Sequence, residues 1–134
     1  TDMESLSREI DTYAKNKKLE FLKIGNLEVK RDFGYAPAYV EAMCKILQAP
    51  KADDFIICSG NSIKLRDIVE YVFDKLDINK ELIVIDESLF RPNEIIEIYG
   101  DSSKSNEMLN WRYDLSFFDV LDLLIDEEIL NYQQ

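Results

Sequence analysis

An α/β fold is predicted for this 134-residue chain, and three observations predict it. Short apolar runs of strand length, "LEFLKIG", "DFIICSG" and "LIVID", recur along the sequence. Segments of helical periodicity separate them, and glycine, proline or a serine suited to capping stands at most junctions. A chain of this size buries roughly two thirds of the surface its unfolded form exposes, so one modest core is available.

Taken in order, residues from about Leu6 to Lys17 read as a weakly amphipathic helix, and "LEFLKIG", ending at Gly25, alternates as a strand should. "KRDFGYAPAYVEAM" puts Lys30, Arg31 and Asp32 on a turn ahead of a helix. Pro37 suits that helix's first turn, where its missing N–H costs nothing, and Tyr39, Val40, Met43, Ile46 and Leu47 are expected to line its apolar face. "DFIICSG" is a continuous apolar run closed by Gly60, the pattern of a strand buried on both faces. Leu65, Ile68, Val69, Val72, Phe73 and Leu76 then make the clearest helical stripe, with Asn61 or Ser62 available as its cap. "LIVID" is a further buried strand and "FRPNE" a proline-bearing loop. "SKSNEMLNW" is a short helix capped by Ser102 or Ser103, and Ser116 caps a last helix, "FFDVLDLLIDEEIL". Strands this few make a thin sheet against wide apolar helix faces, which predicts a part of something larger.

Composition removes several functions. With 16 basic against 27 acidic residues and a net charge of -11, the chain lacks the broad basic face that nucleic acid or an anionic membrane requires. It contains no histidine, so a thiolate/imidazole metal site and a histidine-based triad are both out of reach. Cys44 and Cys58 read as small buried hydrophobes in a reducing compartment, and the polar start "TDMESLSREID" lacks the core of a signal peptide; a cytoplasmic protein is expected.

"KIGNLEVKRDFGYAPAYVEAM", "DDFIICSGNSIKLRDIVEYVF" and "IDESLFRPNEIIEIYGDSSKSNEMLNW" stand in one order and spacing. Together, from about Leu22 to Leu130, they resemble the C-terminal half of the GDP-mannose 4,6-dehydratases, a branch of the extended short-chain dehydrogenase/reductase family of nucleotide-sugar enzymes. The resemblance implies that residues 1–134 are a small substrate-binding portion of an NADP-dependent lyase. That enzyme converts GDP-mannose to GDP-4-dehydro-6-deoxy-mannose and water, and is expected to self-associate. By match, Arg31 of "KRD" lies on the ligand's diphosphate, Arg91 of "FRP" reaches the diphosphate or ribose, and Glu94 accepts ribose hydroxyls. Gly25 and Asn26 of "GNL" are carried over as further substrate-binding positions. The roles suit the residue types: a guanidinium fork pairs with phosphate oxygens, and a carboxylate, which only accepts, suits vicinal hydroxyls.

No catalytic, cofactor-binding or metal residue is expected within this chain. The family's Tyr-x-x-x-Lys pair lies upstream of the "RD" segment, so "YAKNK" at Tyr13–Lys17 and "YVFDK" at Tyr71–Lys75 are chance spacings. The dinucleotide glycine fingerprint is missing too, since the chain has four scattered glycines. The NADP-binding Rossmann portion is therefore expected outside it, and no dehydratase turnover is expected from the chain alone. Plainer roles are read for other residues: Tyr35, Tyr39 and Trp111 as packing, Lys30 as cover for the turn, Gly25 and Gly34 as turn residues of positive φ. Phe33 and Cys44 stand where the family has tryptophan, Ala38 where it has aspartate, and Lys64 where a capping serine is expected. Two alternatives remain open at this point: a portion of another nucleotide-sugar epimerase, reductase or dehydratase, or a non-catalytic nucleotide-binding module.

Overall fold

The computed structural model describes residues 21–133. The expected first helix and the Tyr13–Lys17 pair lie outside the described residues. The class is α/β, with short strands and four α-helices among the described residues. The elements are β1 (Leu22–Ile24), β2 (Lys30–Asp32), α1 (Ala36–Leu47), β3 (Ser62–Lys64), α2 (Leu65–Lys75), β4 (Ile83–Ile85), α3 (Ser103–Leu109) and α4 (Phe117–Tyr132). The described residues fall into two compact units: 21–29 with Lys64–Ile96, and Lys30–Ile63 with 97–133.

In the first unit β1 and β4 pair in parallel, Leu22 opposite Ile83 and Ile24 opposite Ile85. The β4 strand forms as "LIVID" predicts, but it is only half-buried and Ile85 remains exposed. Among the described residues that sheet has two strands, so each keeps one edge without a ladder partner there. Helix α2 follows its predicted stripe and starts at Leu65 without a capping side chain; Asn61 and Ser62 do not cap it. Main-chain carbonyls take over that role: the N–H groups of Leu65 and Arg66 donate to Val29 O at 2.9 Å and Leu27 O at 3.0 Å. The helix closes on Asp77 at φ 54, with Ile78 N–H donating to Phe73 O at 2.8 Å, a left-handed cap reaching back over the last turn. Leu27 and Val29 are buried in this unit. On α2, Lys75 Nζ lies 5.9 Å from the Tyr71 ring centre, a cation–π contact.

The second unit is organised around Ala42, Leu109 and Trp111, with Tyr39, Ile46, Phe55, Ile57 and Tyr113 against them. Trp111 is 2% exposed and its indole N–H donates to Ala38 O at 3.1 Å, so the ring is buried without an orphaned donor. Tyr39 meets Trp111 and Tyr113 edge-on. Pro37 does sit in the first turn of α1. The inward face of α1 is Tyr39, Ala42 and Ile46, whereas Val40, Met43 and Leu47 face outward, Leu47 at 86% exposure. Both sets keep an i, i+3, i+7 spacing, and the small Ala42 occupies the centre because Trp111 fills the space opposite. Cys44 is exposed and only Cys58 is buried. The cysteine at position 44 therefore leaves no core volume to be filled.

The chain departs from three further expectations. "DFIICSG" forms no strand: side chains occupy the polar groups a ladder would use. Lys104 and Ser105 of α3 donate to the carbonyls of Asp54 and Ile56, and the amides of Ser59 and Gly60 donate to Asp32. Lys30, Arg31 and Asp32 form strand β2 rather than a turn; β2 pairs with β3, and Ile98 N–H donates to Lys30 O. Ser102 and Ser116 sit at the N-caps of α3 and α4 without a side-chain bond, and at α3 Asp101 accepts from Ser103 N–H instead.

Candidate functional site

The expected binding residues lie in both units. In the first, β1 runs out at Ile24, and Gly25 lets the chain pass close to the 3-10 turn Glu87–Leu89. A Cβ on Gly25 would stand 3.3 Å from Leu89 O and 3.4 Å from Leu89 Cβ. Its glycine is explained by that close approach, not by positive φ, which only Gly60 adopts among the glycines. Asn26 follows and donates from Nδ2 to Glu94 Oε2 at 3.0 Å, while its Oδ1 accepts from Glu28 N–H at 2.9 Å. Two residues carried from motifs 68 positions apart are thus in direct contact. Glu94 is reached through the turn at Pro92 and Asn93, where Asn93 takes φ 58. Arg91, at the start of that turn, is exposed, and its guanidinium is engaged by no ion pair or hydrogen bond among the described residues. The neighbouring Glu28 is already committed to Arg66 at 2.8 Å and Lys64 at 3.1 Å. Those hydrogen bonds, Arg66's first, hold its carboxyl below the usual range.

In the second unit Arg31 lies at the middle of β2, half-buried, with Nη1 donating to Lys30 O at 2.8 Å. The guanidinium has five N–H donors, and this is its one bond among the described residues. Lys30 pairs with Glu97 at 3.6 Å across an exposed surface, and Glu97 also accepts from Ser62. Lys30 thus has a plain structural role, but on a strand and not as cover for a turn, and a pair of that kind contributes about 0–1 kcal/mol. Gly34 is explained by proximity as well: a Cβ there would collide with the Tyr39 ring.

Asp32 is the residue that sequence reasoning missed. Its Oδ1 accepts from Ser59 N–H at 2.9 Å and Ser59 Oγ at 2.6 Å, and its Oδ2 from Gly60 N–H at 2.9 Å and Gly100 N–H at 3.1 Å. Burial pushes the carboxyl up, but the bonds from the Ser59 hydroxyl and the three amides outweigh it and hold it below the ordinary value of 3.8. Its partners lie 27 to 68 positions away, which no local spacing reveals. Beyond it, a cleft of about 290 Å³ opens beside Phe33, Ile63 and Phe117, and none of its lining residues is ionisable.

The family model described as GDP-mannose 4,6 dehydratase matches residues 4–124. The chain belongs to the GDP-mannose 4,6 dehydratase family. GDP-mannose 4,6 dehydratase 1 of Arabidopsis thaliana is 35% identical over 109 residues, covering 81% of this chain and 30% of that protein. The Homo sapiens GDP-mannose 4,6 dehydratase is 30% identical over 132 residues, covering 84% of this chain and 35% of that protein. The chain thus spans about a third of the length of the relatives it matches. Among solved structures, RMD from Pseudomonas aeruginosa complexed with NADPH has a TM-score of 0.68 at 22% identity, over 87% of this chain and 38% of that one. The UDP-glucose 4-epimerase of Thermotoga maritima with UDP-glucose has a TM-score of 0.74 at 19% identity, over 84% and 36%. At such identities the likeness shows the fold alone, shared over 87% and 84% of this chain. Gly25, Asn26, Arg31, Arg91 and Glu94 all fall inside the GDP-mannose 4,6 dehydratase match.

Proposed function

We propose that residues 1–134 are the substrate-binding portion of a GDP-mannose 4,6-dehydratase, a lyase forming GDP-4-dehydro-6-deoxy-mannose and water from GDP-mannose. The chain's share of the work is to hold the nucleotide end of the substrate. Arg31 and Arg91 supply guanidinium donors to the diphosphate, and Glu94, with Gly25 and Asn26 beside it, faces the ribose. Charge-assisted bonds of this kind contribute about 1.5–3 kcal/mol each. That outweighs the repulsion of a diffuse net charge of -11, which salt screens within about 10 Å. Binding energy so spent aligns the sugar for chemistry performed elsewhere in the enzyme.

The observation that carries this reading is the Asn26–Glu94 hydrogen bond, which joins the "GNL" and "FRPNE" motifs of a chain belonging to this family. The described residues do not fit a dinucleotide cofactor, because Gly25, Gly34, Gly60 and Gly100 lie in separate segments and form no glycine-rich turn into a helix. NADP, on this reading, binds a portion outside this chain, and the whole enzyme self-associates in the cytoplasm. No described helix is long and apolar enough to cross a membrane. Calorimetric titration of the chain with GDP, UDP and ADP tests the proposal. Saturable binding with GDP favoured is expected; equal affinity for all three, or no binding of GDP, contradicts it.

A further inference from the structure

We infer that Asn26 is a positioning residue for Glu94, and that the pair makes the site selective for a ribonucleoside diphosphate over its 2′-deoxy counterpart. The inference rests on the reading above, in which Glu94 accepts ribose hydroxyls. Both ends of the Asn26 amide are occupied. Its Oδ1 accepts from Glu28 N–H at 2.9 Å, and because a backbone N–H can only donate, that contact decides which end of the amide points which way. Nδ2 is left to donate to Glu94 Oε2 at 3.0 Å. A carboxylate offers about four acceptor directions. The amide takes one and ties down Oε2, while Oε1 meets no other donor among the described residues.

Vicinal hydroxyls require a carboxylate in one orientation, and a glutamate already held gives up less rotamer freedom when it receives them. The charged groups around the pair do not displace the amide. Glu28 is engaged by Lys64 and Arg66, and Arg91 makes no ion pair with Glu94. Asn26 therefore acts through Glu94 and needs no contact of its own with the ligand.

The test titrates the full chain with GDP and 2′-deoxy-GDP, comparing each variant with wild type at the same pH. Asn26→Asp keeps the Oδ1 acceptor, and with it the turn to Glu28, but sets a second carboxylate oxygen against Glu94. At about pH 8 its GDP affinity is expected to fall about tenfold, with 2′-deoxy-GDP changing by less than about threefold. In a Glu94→Ala background, Asn26→Ala should bring no further loss. Unchanged GDP affinity in Glu94→Ala would overturn the ribose reading and this inference together. A Glu94→Ala loss accompanied by an Asn26→Asp variant that binds both nucleotides like wild type overturns the positioning role alone.

Discussion

Asp32 and Arg31 are adjacent in strand β2 and do different work. The aspartate takes four donors from Ser59, Gly60 and Gly100, closing loops distant in sequence onto the strand, while the arginine beside it keeps most of its donors uncommitted. Because the Asp32 carboxyl is held below 3.8 in the folded chain, its stabilisation is present above that value and is lost as pH falls through the folded one. Urea unfolding of wild type and Asp32→Asn should therefore differ at neutral pH, with the difference narrowing as pH falls below about 4. A constant difference down to pH 2 contradicts the role. Tyr39 contributes at the alkaline end: burial first, then the nearby Asp32 charge, pushes its hydroxyl from 10.0 up to about 12. Stability it contributes is whole below 10.0 and lost as pH rises toward about 12, a loss that Tyr39→Phe should not show.

At the level of elements, periodicity predicted helices better than it chose their faces. The α2 stripe from Leu65 to Leu76 was legible because its spacing is a local property of the chain, and the structure has a helix there over Leu65–Lys75. On α1 two apolar stripes share one spacing, and the partner across the core selects between them. Trp111 selects the one centred on Ala42. Leu47→Gln and Met43→Gln should then change unfolding free energy by no more than about 0.5 kcal/mol. Ala42→Leu, which forces a larger side chain against Trp111, should cost about 1–3 kcal/mol. The reverse order in a urea series would return the inward face to Val40, Met43 and Leu47. "DFIICSG" was misread for the same reason at longer range, since composition signals an apolar run but not that Asp32, Lys104 and Ser105 take its polar groups.

For the whole molecule, family membership and fold class were legible in motifs held in one register, and the match over residues 4–124 bears them out. The Asn26–Glu94 contact was legible only as two separate motif residues, because neither spacing nor residue type shows which side chains meet. Net charge, by contrast, says little about the ligand: local guanidinium donors can pair with a diphosphate even on a chain at -11. The most direct measurement of that claim is GDP affinity in the wild-type chain beside Arg31→Ala and Arg91→Ala. A loss of at least about tenfold in each variant, with the far-UV circular dichroism unchanged, is the expected result. Wild-type affinity in either variant contradicts the assignment of that arginine, and wild-type affinity in both contradicts the account.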